Sequence, residues 1–332
     1  MLDRRDGADH TDRMVDKDVV LVGVDASASA DHALDWAVDE AVRRGWPLHL
    51  VNAYTVPVTA GIAGEITTPL VDDEVVRRAA EQVCAEAAAR VAARADAPPV
   101  RTSVEYGDAA GVLVDASADA GLAVVGKRGR GGFARRLLGG VGSALPAHSA
   151  CATVVVPLPA DDEARRAQQA RTGVVVGVDG SAHSAHAAEV AAGYAAERGW
   201  PVTLLCAVPL AVPTLAWLPT AMDPDPLVAE VRDQLDRCAT SVRDAHPELD
   251  VRTRLEHDSP ARVLTDAGRD AGLVVVGARG HGGFTGMLLG SVSQAVLQHA
   301  TGPVLVVPRR HAKDAGEVPD AAAPVAEGPG RD

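Results

Sequence analysis

GVDASASADHALDWAVDEAVRRGWP, Gly23 to Pro47, returns as GVDGSAHSAHAAEVAAGYAAERGWP, Gly177 to Pro201. Each copy reads as the end of a strand, a polar cap, a helix and a glycine stop. Working outward, GKRGRGGFARRLLGGVGSA (Gly126 to Ala144) returns as GARGHGGFTGMLLGSVSQA (Gly277 to Ala295). A repeat of this length constrains architecture before any other signal does. Matched positions lie 154 residues apart early in each copy (Gly23 and Gly177) and 151 apart later (Gly126 and Gly277). The length difference falls between Cys84 and Pro99, after a predicted helix.

The strand patterns are short and apolar. VVLVGVD (Val19 to Asp25) and GLAVVG (Gly121 to Gly126) are continuous runs, the mark of strands covered on both faces. Between them fall helical patterns at Ser29 to Gly45, Asp72 to Arg94 and Ala109 to Asp119. PLHLVNA, VRTSVEYG and TVVVP supply three more strands, and every element recurs in the second copy. Strands alternating with helices give parallel sheets with right-handed crossovers. The expected fold is therefore α/β, with two tandem five-stranded parallel-sheet domains of the doubly wound, Rossmann-like kind. The boundaries are 16–158 and 172–309, with flexible tails at 1–15 and 311–332. PADDEARRAQQAR (Pro159 to Arg171) reads as a polar linker. The apolar fifth strands, TVVVP and PVLVVP, lie at a predicted sheet edge and must be covered or paired.

The 332 residues carry a net charge of −13 and 47% hydrophobic residues. That charge argues against non-specific binding to nucleic acid or an anionic membrane. It does not oppose a small anion held by local backbone dipoles. No apolar run reaches transmembrane length and the N-terminus has no secretory pattern, so a cytoplasmic address is expected. The four cysteines, Cys84, Cys151, Cys206 and Cys238, form no CxxC pair and read as structural thiols.

In an open parallel sheet, ligands sit at the carboxyl ends of the strands, where strand order reverses. Two features converge there in each copy: the Asp after the first strand, Asp25 or Asp179, and the loop after the fourth. In the second copy the loop runs Gly277-Ala-Arg-Gly280, nine residues, then Gly290-Ser291. Glycine allows close backbone approach, and Ser291 stands where a helix N-cap is expected. A helix start with free amides favours phosphate. In the first copy the loop runs Gly126-Lys-Arg-Gly129, nine residues, then Gly139-Gly140. Gly140 there replaces the serine and Gly142 replaces Ser293, while Lys127, Arg128 and Arg130 add charge; whether this copy binds is open. The alternative for both loops is a tight turn that only lets a helix pack closely.

This G-x2-G-x9-G-[ST] spacing, with GVDGS at the end of the first strand, resembles the ATP-binding signature of the universal stress protein family. The likeness to its tandem, UspA-like form covers about Asp16 to Pro308. The resemblance implies an adenine nucleotide alpha hydrolase-like fold. It also implies ATP contacts from Asp179, Ala207, Gly277, Gly280, Gly290, Ser291 and Val292, and from the matching Asp25, Ala53, Gly126, Gly129, Gly139, Gly140 and Val141. It implies too that the fifth strands pair across a two-fold, here as an intramolecular pseudo-dimer, with further homodimerisation open. The function expected is a nucleotide-dependent regulator in stress response, with an unidentified protein partner. Asp25 and Asp179 have two roles open: helping to hold Mg²⁺ through the phosphates, or bonding the first turn of the next helix.

Two rivals stand beside this reading. One is a slow ATPase, or a phosphoryl or nucleotidyl transferase using Ser291 or a nearby hydroxyl. The other is a nucleotide-free interaction module. No GxSxG, HExxH or P-loop lysine pattern occurs, which opposes a dedicated fast ATPase. His183 and His186, three apart on a helix, could pair on a metal but have no third ligand at a telling distance; His281 could touch phosphate or simply be exposed.

Overall fold

The computed structural model describes residues 17–56, 58–60, 66–69, 71–129, 138–209, 225–280 and 289–308. The expected tails, Arg130 and His281 lie outside them. The first half runs β1 (Val20–Gly23), α1 (Ala28–Arg44), β2 (Leu48–Tyr54), β3 (Val58–Ala60), β4 (Ile66–Pro69), α2 (Asp73–Ala92), β5 (Val100–Tyr106), α3 (Ala109–Ser117), β6 (Leu122–Gly126), α4 (Gly140–His148) and β7 (Ala152–Val156). After α5 (Asp162–Gln169) the second half runs β8 (Val174–Gly177), α6 (Ala182–Ala196), β9 (Val202–Ala207), α7 (Asp225–Ala245), β10 (Val251–Glu256), α8 (Pro260–Ala267), β11 (Leu273–Gly277), α9 (Ser291–His299) and β12 (Val304–Val307).

The strands form one ten-stranded sheet in the order β10-β9-β8-β11-β12-β7-β6-β1-β2-β5. Within each half every neighbour pair is parallel. The halves meet where β12 pairs antiparallel with β7, Leu305 opposite Val154. The apolar fifth strands thus cover each other, and both are buried. The sheet edges are instead β5 and β10, whose exposed residues include Arg101, Glu105, Arg252 and Arg254. Charged edges of this kind resist pairing with foreign strands.

The local signals explain the helix bounds. Ser27 is extended, at φ −89°, and its hydroxyl accepts from the Ala30 N–H, 3.1 Å away. Gly45 closes α1 at φ 68°, a conformation that costs glycine nothing. Two layers of core flank the sheet. On one face Leu34, Ala37, Val38 and Ala41 of α1 pack with Ala187, Ala188, Ala191 and Ala192 of α6. On the other, Leu113, Leu145, Leu264 and Leu297 pack over Val125 and Val276. Aliphatic and alanine side chains let the helices lie close to the sheet, so few aromatics are needed.

Two segments carry more structure than their composition suggested. The linker contains α5, capped by Asp161, whose carboxylate accepts from Ala164 N–H at 2.8 Å. The segment after β2, expected as a loop to about Leu70, contains the antiparallel β3–β4 pair.

A buried polar cluster ties the halves together. Glu40 of α1, 1% exposed, bonds Arg43 at 2.6 Å and also Arg44 and Arg198, the last from the other half. Arg44 and Arg198 stack on the Tyr194 ring at 4.5 and 4.7 Å. Burial, with the Glu40 charge second, pushes the Tyr194 phenol well above its usual range.

Candidate functional site

Within each half the strand order is third, second, first, fourth, fifth, so the chain reverses direction between the first and fourth strands. Helices leave on opposite faces there and a crevice opens at the strand ends. In the first half it holds a cavity of about 440 Å³. All seven residues expected in this copy line it: Asp25, Ala53, Gly126, Gly129, Gly139, Gly140 and Val141.

The backbone around it is held by strand ends and helix starts. Asp25 Oδ1 accepts from Ser27 N–H at 3.0 Å, so one oxygen positions the start of α1. Its Oδ2 lies against Gly129, where an added Cβ would come within 2.5 Å of it. In the second half Asp179 Oδ1 accepts from both the N–H and hydroxyl of Ser181, at 3.0 and 2.6 Å. Its Oδ2 crowds Gly280 in the same way. The carboxylate-to-loop contact is therefore a shared feature of both copies.

The glycines divide by physical role. A Cβ on Gly126 would sit 2.6 Å from Ser29 Oγ and one on Gly23 would sit 2.8 Å from Leu113 Cδ1, so close packing requires glycine there. At Gly140 a Cβ meets nothing within 4 Å, although Gly140 lines the cavity. None of the described residues fills that space.

Ser291 is not the helix cap. The cap is Gly290, extended at φ −69° and ψ 152°, and Ser291 is the first helical residue of α9. Gly139, not Gly140, likewise caps α4. The cap position needs extended backbone, and the glycine supplies it without a side-chain hydrogen bond in either copy. The first-turn amides therefore receive no side-chain acceptor from the cap. The Gly290 and Gly139 amides do not point to a ligand: they donate to Ala278 O at 2.8 Å and Lys127 O at 3.0 Å, fastening the helix start to the end of the fourth strand. In the second copy Ser293 Oγ adds a 2.7 Å bond to Gly277 O. Gly142 makes no such bond in the first.

Ala207 ends β9 opposite Glu256, and Val292 follows Ser291 in the first turn of α9. Behind Ala207, burial and then the nearby Asp179 push the Cys206 thiol up. All four thiols are unpaired, and each is raised first by burial, as structural cysteines are.

The charges of the first loop separate. Arg128 lines the cavity. Lys127 reaches the other half instead, donating to Ala300 O at 3.1 Å, at the C-terminal end of α9. Burial, then Arg128, lowers its pKa to about 8. Asn52 and Asp108 also line the cavity. The Asn52 carboxamide donates to Val24 O at 2.6 Å, and Asp108 caps α3 by accepting from Ala110 and Gly111. Asn52 was visible as a polar residue near the end of an apolar strand run, and Asp108 as an acidic residue before a helix at the same end of the sheet. Neither signal says cavity by itself. His186 lies 3.5 Å from Glu189, and among the described residues no group of three His, Cys, Asp or Glu could hold a metal ion.

The universal stress protein family model matches this chain twice, at residues 18–157 and 171–308. The chain belongs to the universal stress protein family. A Mycolicibacterium smegmatis universal stress protein is 35% identical over 296 residues, covering 87% of this chain and 96% of that protein. One from Mycobacterium bovis is 34% identical over 304 residues, covering 86% and 94%. Among solved structures, a universal stress protein from Archaeoglobus fulgidus superposes with TM-score 0.63 at 18% identity, over 89% of this chain and all of that one. The resemblance read from the loop spacing is thereby met, as is the tandem α/β fold. Among the described residues, no helix of this universal stress protein is long and apolar enough to cross a membrane.

Proposed function

We propose that this universal stress protein binds ATP at the glycine-loop crevice of each half and uses it as a regulatory signal. The observation that carries the reading is the 440 Å³ cavity at the strand-order reversal, lined by every residue expected in the first copy. Its volume is in the range of small-molecule sites. The lining combines apolar surface for a base, from Val24, Val51 and Leu113, with the polar side chains of Asn52, Asp108 and Arg128. The helix start at Gly140 is uncrowded, with none of the described residues within 4 Å of a Cβ position there. Amides at the start of α4 and the Arg128 guanidinium suit phosphate oxygens. When bound, the nucleotide supplies charge at this helix start. Mg²⁺ would take most of its ligands from phosphate and water, with Asp25 or Asp179 as the carboxylate that follows the first strand of each half.

A signalling role fits better than fast turnover because the chain has no P-loop lysine pattern. The two cavity carboxylates hold helix starts: Asp25 Oδ1 accepts from Ser27 N–H, and Asp108 accepts from the α3 amides. Effects on a protein partner in the stress response follow as the finer part of the same proposal.

Purified protein titrated with ATP, ADP and AMP by calorimetry tests the reading, with native mass spectrometry for stoichiometry. Two ATP per chain without phosphate release supports it. No binding and no thermal shift with any adenine nucleotide overturns it in favour of a nucleotide-free module. Sustained phosphate release that is lost on Gly290→Val would favour the enzyme.

A further inference from the structure

The second strand of each half places a different side chain at the sheet end. Asn52 of β2 lines the cavity of the first half, and the matching residue of β9 is Cys206, 154 positions on. Gly23, the last residue of β1, pairs with Val51. Asn52 therefore stands one step past the paired part of β1, where the crevice opens.

The Asn52 carboxamide has one possible orientation. Val24 O is a carbonyl and can only accept, so the atom 2.6 Å from it is the amide nitrogen. The amide oxygen is turned away from that carbonyl. Among the described residues no donor bonds to Oδ1, and the oxygen keeps contact with solvent instead of lying buried and unpaired. Asn52 as a whole is buried, and the open space it borders is the cavity. Oδ1 is thus an acceptor at the cavity wall, held there by a buried anchor on the other end of the same amide. The second half confirms which way this position looks. The site aspartate is close enough to act on the thiol: after burial, the Asp179 charge pushes Cys206 up.

Strand order decides which part of a nucleotide would meet Oδ1. β2 and β6 flank β1, so their ends lie two strand spacings apart, about 10 Å. Gly129, Arg128 and the start of α4 all follow β6. Phosphate oxygens accept only, and belong on that side. The ribose then spans the end of β1, and the base reaches β2 among Val24, Val51 and Leu113. There an acceptor calls for an N–H group. Adenine offers its 6-amino group, whereas a 6-oxo purine presents a second acceptor at that place.

We infer that Asn52 is a specificity-determining residue of the first site, selecting a 6-amino over a 6-oxo purine through Oδ1, and that the second site discriminates far less. The inference rests on the adenine-nucleotide reading above. A thiol is only a weak donor and a weak acceptor, so Cys206 rejects neither base. The two halves would then respond to different pools, the first to ATP and the second to purine triphosphates in general.

The full chain carrying Gly280→Val reports the first site, and the chain carrying Gly129→Val reports the second. Each is titrated by calorimetry with ATP, with purine riboside triphosphate, which lacks the amine, and with ITP, which has an oxygen in its place. At the first site ATP should bind at least about tenfold tighter than either analogue, because the wall acceptor otherwise loses its partner. At the second site the three should bind nearly alike. Asn52→Cys should give the first site the pattern of the second, and Cys206→Asn should do the reverse. Losing the Val24 bond alone would weaken all three nucleotides together, so the ratio separates selection from support. If Asn52→Cys fails to fold, the analogue series on the two parent chains and Cys206→Asn still decide. ATP bound at the first site no tighter than its analogues, or a preference that survives Asn52→Cys, would overturn this inference and leave the nucleotide reading standing. No binding of any of the three would overturn both.

Discussion

The two glycine loops share a backbone and differ in side chains. Both set an Asp carboxylate against the second glycine, and both fasten a glycine cap to the strand end through one amide–carbonyl bond. Around that frame Gly140 stands for Ser291, Gly142 for Ser293, Lys127 for Ala278 and Asn52 for Cys206. A site built from main chain tolerates such divergence, because amides are the same whatever side chain they carry. The loss of the serine in the first copy therefore removes hydroxyl partners and leaves the cradle standing.

The largest effect should come from blocking one cradle at a time. Gly129→Val places a branched side chain against Asp25 Oδ2, and Gly280→Val does the same at Asp179. Each should weaken ATP at its own site by at least about 100-fold, ~2.7 kcal/mol. Native mass spectrometry should show one nucleotide fewer, and loss at both sites from one substitution would break the comparison.

Next is the bond found only in the second copy. Ser293→Ala removes the donor to Gly277 O and should cost about 1 kcal/mol of stability. Urea unfolding with an unchanged m-value is the check. Gly140→Ser then makes the first copy more like the second. A Cβ there meets no neighbour, and serine in a helix is better than glycine by about 0.5 kcal/mol. Site-one affinity should rise a few-fold and melting should not fall, both readable by calorimetry. A fall in affinity would show that the open space is already needed by the ligand.

The smallest effect is a slope. With its pKa lowered to about 8, folded Lys127 loses its proton before the unfolded chain does, whose lysine titrates near 10.4. The unfolded state then binds more protons between those values, so Lys127 makes stability rise from about pH 8 to pH 10. Lys127→Met should remove that rise, whereas Ala278→Met should leave it intact. Melting curves across this window compare them.

Much of this molecule could be read from its repeat. Apolar runs such as GLAVVG announced buried parallel strands, and the apolar fifth strands announced that something must cover them. The crevice followed from strand order, which a βα repeat nearly dictates. What escaped needed tertiary knowledge. DEARRAQQ looks like any solvated linker, and only its position over His32 gives Gln168 a buried role. Ser291 has a capping side chain but sits one residue past the extended position where caps work. Lys127 was grouped with Arg128 by adjacency, yet successive residues diverge, and it turned to the other half.

Glu40 and Tyr194 are the same position in the two copies, 154 residues apart, and they sit in one cluster at the junction. Had duplication left them alike, the second half joined to its twin would bring Arg198 against Arg198 with no buried acid between them. The covalent tether is thus matched by a chemical preference. The second half takes its buried counter-ion from the first, so loss of Glu40 would leave Arg198 with only the half-exposed Glu197 carboxylate among the described residues.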